Sequence, residues 1–90
     1  MFSEKTIIDV WNKWNIVPWY NPRLVRQDQC WAWIMFTEYG NRESKYGREI
    51  DHIIPVSHGW LDYLSNLRPL QWENNLYKSN GRLVCRVGTR

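Results

Sequence analysis

Cysteine is scarce in this 90-residue chain: there are two, Cys30 and Cys85, and no CxxC spacing. That excludes a zinc site built on paired thiolates. Two isolated thiols are expected to be reduced and partly buried, as in a cytosolic protein, although their spacing alone does not rule out a disulfide. No apolar run approaches the roughly 18 residues of a membrane span, and no signal peptide is apparent. Membrane spanning and secretion are therefore disfavoured, and a cytoplasmic location is expected. Repeats and low-complexity stretches are also missing. Acids stop at Glu73, and Lys78, Arg82, Arg86 and Arg90 follow at near-regular intervals. A polyanion would be drawn to that end, although a solvated basic tail explains it as well.

What the chain does have is aromatic residues. Seven Trp and five Tyr are too many to bury completely in so small a body, so some should remain half-exposed. A hydrophobic fraction of 43% is enough for folding rather than disorder. Ninety residues make at most one domain, spanning 1–90, with a small core.

"SEKTIIDVWNKWN" predicts an amphipathic helix capped by Ser3, with Glu4 at the positive end of the dipole and Ile7, Val10, Trp11 and Trp14 facing the core. "IVPWYNP" predicts an ordered, aromatic-lined loop. "CWAWIMFTEYG" fits either a buried strand or a short helix, and periodicity does not choose. "GNRESKYG" reads as a polar turn bracketed by Gly40 and Gly47. "EIDHIIP" reads as a strand ended by Pro55, and "LRPL" as a second extended piece, brief or at an edge because of Pro69. "QWENNLYKSNG" predicts a final helix, with Trp72 and Leu76 facing inward and Gly81 beyond its end. Gln71, Asn75 and Lys78 would share the neighbouring flank. The class is α+β.

Asp51 and His52 stand side by side in the first strand. A carboxylate is a hard ligand for Mg²⁺, and an imidazole can take a proton from water. Neighbours on a strand point to opposite faces, so the two would do different jobs at its end. The plain alternative is a half-buried His and a salt-bridged Asp. The amide oxygen of Asn75 could ligate a cation, and Lys78 could neutralise a phosphate. Asn66 could organise its loop or orient His52.

Taken together, "EIDHIIPVS", "LSNLRPLQWENN" and Lys78, with "RQDQC" and "YGNRESKYG" upstream, resemble the HNH (ββα-metal) nuclease family, small bacterial and phage subtype. The similarity runs from about Arg26 to Lys78. It implies a hairpin-helix unit over about 48–80 and metal-assisted hydrolysis of DNA phosphodiester bonds. Asp51 and Asn75 would hold Mg²⁺, Mn²⁺ or a similar ion, which would stabilise the departing oxygen. His52 would act as general base, with Asn66 holding the imidazole and its loop. Arg68, Lys78, Arg82 and Arg86 would contact backbone phosphates with little sequence readout. Glu49 would support the hairpin through a salt bridge.

The chain departs from the family in several places. Gln71 and Asn74 stand where many members carry the second CxxC pair, so no structural zinc is expected. Arg48 replaces a usual Trp, and Trp31 replaces the Gly that follows Cys30 in relatives. Gly59-Trp60-Leu61 replaces a small-residue loop, offering either a stacking surface or a narrowed substrate path. His58 reads as an exposed loop residue. These departures sustain an alternative: an HNH-derived module that grips a protein or nucleic acid without cutting, such as a phage protein that interferes with a host defence complex.

Overall fold

The computed structural model describes residues 2–55, 62–78 and 81–88. His58, Gly59, Trp60 and Leu61 lie outside the described residues, as does Arg90. Helix α1 (Glu4–Trp11) starts where its cap dictates, with the Thr6 N–H donating to Ser3 Oγ at 3.1 Å. It ends earlier than the sequence suggests. Lys13 and Trp14 bond back three residues rather than four, so the chain turns just after Trp11. Val10 and Trp11 are buried, while Ile7 and Trp14 are only half-buried.

Three short strands follow, β1 (Asn15–Ile16), β2 (Val25–Gln27) and β3 (Trp33–Met35), as an antiparallel sheet in the order β1-β2-β3. The ambiguous "CWAWIMF" segment is thus a strand, continued by a 3-10 turn at Phe36–Glu38. The polar turn beyond it needs both of its glycines. Gly40 has φ 74°, and a Cβ on Gly47 would come within 1.9 Å of the Asn41 carbonyl.

A second antiparallel pair, β4 (Arg48–His52) and β5 (Leu67–Gln71), sets Asp51 opposite Arg68 and His52 opposite Leu67. Pro69 is accommodated because the sheet has two strands and no third to receive an N–H. Helix α2 (Trp72–Leu76) follows β5 without a break. The described residues form a small domain of mixed helix and strand, and none of its helices is long and apolar enough to cross a membrane.

The apolar centre joins Val10, Ile50 and Leu67, with Phe2 and Ile7 against it. Much of the rest is polar. Arg48, 1% exposed, lies over the rings of Trp11, Phe36 and Tyr39 at 4.8, 5.1 and 5.1 Å and donates to the Met35 and Phe36 carbonyls. Burial pushes its pKa down to about 10. A guanidinium in an aromatic box thus takes part in the packing of the interior.

Two expectations are corrected. The helix face turned inward is that of Asn74, fully buried, whereas Leu76 is exposed and Trp72 half-buried. The reason is a polar hub. Asp28 accepts from the N–H groups of Cys30, Ala32 and Gln71 and from Asn74 Nδ2. Gln71 Oε1 caps α2 at Glu73 and Asn74, and Asn74 Oδ1 accepts from the backbones of Arg86 and Val87. The cysteines, expected to be reduced, are joined instead: the Cys30–Cys85 disulfide has Cα atoms 5.5 Å apart and pins the C-terminal segment beside this hub.

Candidate functional site

Strand β4 carries Glu49, Asp51 and His52, and α2 with the residues just after it supplies Asn75 and Lys78. Residues two apart on a strand share a face, and residues three apart on a helix are neighbours, so the two sets meet in register. Asn75 Nδ2 donates to Glu49 Oε1 at 2.8 Å. Lys78 Nζ donates to Asp51 Oδ1 at 2.6 Å and to the His52 carbonyl at 2.8 Å.

Across the hairpin, Arg68 Nε donates to Asp51 Oδ2 at 2.7 Å, and its Nη1 donates to Gln29 Oε1. Side-chain exposure is 6% for both Arg68 and Asp51. Arg68, expected to meet backbone phosphates, is therefore enclosed as the cross-strand partner of Asp51. Register imposes this, because the two residues face each other directly. Lys78 is engaged in the same cluster, which carries one net positive charge.

Glu49 forms the salt bridge expected of it, with Arg42 donating from Nε at 2.6 Å and Nη2 at 2.9 Å. The hydrogen bond from Arg42, aided by Asn75, holds its carboxyl below the ordinary glutamate range.

Asn66 is buried and works on the backbone. Its Oδ1 accepts from the Ile54 N–H at 2.8 Å, its Nδ2 donates to the Ile54 carbonyl at 3.0 Å, and its own carbonyl accepts from Ile53. It fixes the chain directly after His52. The imidazole is instead met by a residue the sequence reading did not single out: His52 Nε2 lies 2.6 Å from Asp62 Oδ1. Phe2 packs against the same ring at 5.8 Å between centroids. Lys13 donates to the Leu64 and Leu67 carbonyls, tying α1 to the entrance of β5.

The donor chemistry of Asp51 and Asn75 suits a hard divalent ion, but their placement does not. Both oxygens of Asp51 are held by cations, and the Asn75 amide nitrogen is turned to Glu49. A further divalent charge beside a cluster already net positive is disfavoured. In this arrangement the residues do not fit a bound metal. Among the described residues no group of three or more His, Cys, Asp or Glu side chains is placed to hold one either.

Arg82 and Arg86 are exposed, and the Arg86 guanidinium lies over Tyr77 at 4.4 Å. Both remain open to a polyanion. Comparison with protein-family models, curated proteins and solved structures finds no match to this chain.

Proposed function

We propose that this chain is an HNH-type endonuclease that hydrolyses DNA phosphodiester bonds with His52 as general base. The observation that carries the reading is the imidazole–carboxylate pair of His52 and Asp62 at the end of the first strand of a hairpin that runs straight into a helix. In the tautomer that donates Nε2–H to Asp62, Nδ1 keeps the lone pair that takes a proton from water. Asn66 steadies the backbone beyond it, and Lys78 brings a cation to the same strand end. Arg82 and Arg86 would meet phosphates. The order β4-β5-α2, with Asp51 and His52 on β4 and Asn75 on α2, supports the ββα resemblance.

The divalent-ion requirement implied by that resemblance needs Lys78 to release Asp51 Oδ1. The same feature favours a second reading, a non-cleaving binding module in which the Asp51 cluster serves only to hold the hairpin together. The cytoplasmic location expected with either reading is opposed by the disulfide, since cytosolic thiols are kept reduced.

Supercoiled plasmid incubated with Mg²⁺, Mn²⁺ or EDTA separates the two functions. Ion-dependent nicking by wild type that disappears in His52→Ala, with DNA binding retained, is the result expected of the nuclease. A folded wild-type protein that fails to cut whichever ion is supplied would leave the binding module.

A further inference from the structure

Beside the polar hub lies a cavity of about 370 Å³, lined by Ala32, Trp33, Lys45, Tyr46, Val87 and Gly88. Its size falls within the roughly 300–1,000 Å³ of small-ligand sites. It sits at the Arg48 end of β4, where Gln71 Nε2 donates to the Lys45 carbonyl. His52 is four residues beyond Arg48 along the strand, about 13 Å from it at the usual rise.

We propose that this cavity is a stacking site for an unpaired nucleobase, so that the chain takes single-stranded nucleic acid in preference to duplex. This inference rests on the nucleic-acid reading above. Trp33 and Tyr46 supply aromatic walls, and Lys45 Nζ stands 5.1 Å from the Tyr46 ring centroid, where a phosphate next to a stacked base would find it. Among the described residues, no acidic side chain lines the space.

The aromatic surface continues beyond the wall. Tyr20 meets Trp33 edge to face at 4.9 Å, and Trp19 beside it is fully exposed. Trp19 also has φ 74°, a left-handed conformation that a bulky residue rarely adopts. The chain accepts backbone strain to hold an indole in water, which suits a platform for further bases. In a duplex the base faces are covered by their neighbours, so a ring-walled cavity selects unpaired ones. The far wall is held by Asn74, which accepts from the Val87 N–H, and by Gly88, where a Cβ would come within 2.1 Å of the Cys30 carbonyl.

The test is fluorescence anisotropy with a labelled oligothymidylate and a duplex of equal length, using the oxidised full chain. Wild type should bind the single strand more tightly. Trp33→Ala should weaken that binding by roughly 5- to 100-fold and leave duplex binding nearly unchanged. Lys45 is exposed, so Lys45→Glu tests the same site with little risk to folding, and its loss should shrink as salt rises. Equal affinity for both probes, or single-strand affinity unmoved in both variants while thermal melts show them folded, would overturn the proposal. So would failure to bind either probe, which would turn the cavity over to an apolar peptide. Plasmid nicking by wild type keeps the two claims apart. Nicking with unmoved affinities removes the cavity and leaves the nuclease, whereas affinities that follow Trp33 and Lys45 without nicking keep the cavity alone.

Discussion

Replacing Asp28 should cost more stability than its position in a loop suggests. The side chain is fully buried and accepts four hydrogen bonds at 2.8–3.0 Å, from the backbones of Cys30, Ala32 and Gln71 and from Asn74 Nδ2. In Asp28→Ala all four donors lose their acceptor at a site closed to water. A buried donor left unpaired costs about 1–3 kcal/mol, and allowing for incomplete additivity the total is about 4–6 kcal/mol. That is comparable with the whole stability of a small domain, about 5–15 kcal/mol, so the variant should be largely unfolded. Asp28→Asn is the sharper test. Its oxygen can satisfy one pair of donors, but its new NH₂ group must face the other pair. Asn74 cannot relieve the conflict by rotating its amide, because its Oδ1 is already committed to Arg86 and Val87. A loss of about 2–3 kcal/mol is expected. Urea unfolding followed by tryptophan fluorescence, with the m-value checked for constancy, reads both numbers. An Asn variant within about 0.5 kcal/mol of wild type would refute the hub as a structural centre, since that is the range of an indifferent surface change.

Reducing the disulfide, whose cysteines are 55 positions apart, should lower stability by about 4 kcal/mol on the chain-entropy account, seen as a lower urea midpoint in dithiothreitol. Arg42→Ala should lower the melting temperature at pH 7, and by progressively less as the pH falls. The folded pKa of Glu49 is depressed, so its contribution is present above roughly pH 4.3 and is lost as pH falls through the folded value. The shift should be smaller than that caused by disulfide reduction, because the Arg42 side chain is half-exposed. If the nuclease reading holds, Asp62→Asn should slow plasmid nicking about tenfold, less than the roughly 10²–10⁴-fold expected of His52→Ala, and an unchanged rate would show that Asp62 does not position the imidazole.

Local features of the chain were legible in advance. Ser3 announces α1, "EIDH" announces β4, which ends at His52 rather than at Pro55, and the gap between Gly40 and Gly47 announces a turn. Each of these depends on residues within a few positions of one another. The site was legible in its residue types and less so in its contacts. Asp51 was a metal ligand or a salt-bridge residue on sequence grounds, and only the register of β4 against β5 makes Arg68 its partner. The inward face of α2 was misread because five residues are too few for a hydrophobic stripe to decide. What decides it is Asp28, 46 positions before Asn74, and no spacing rule spans such a distance. Asp62 was overlooked because an Asp in a loop is ordinary until the fold sets it against His52. An Asp two residues before Cys30 does carry a weak signal, the habit of that side chain of bonding backbone N–H groups just ahead of it.

Three arginines are buried among the described residues, and while Arg68 is paired with Asp51, the other two change what the charge of this protein means. Arg26 is 8% exposed and Arg48 1%, and their guanidinium groups are occupied with backbone carbonyls and aromatic rings. Both count towards the formal charge of +3, yet neither can touch a phosphate or displace the counterion that sits on one. These two guanidinium groups thus work as internal struts, offset in part by the buried carboxylate of Asp28. A polyanion at the surface therefore meets fewer arginines than the sequence contains, and its grip should depend on salt less steeply than a pI of about 9.1 suggests.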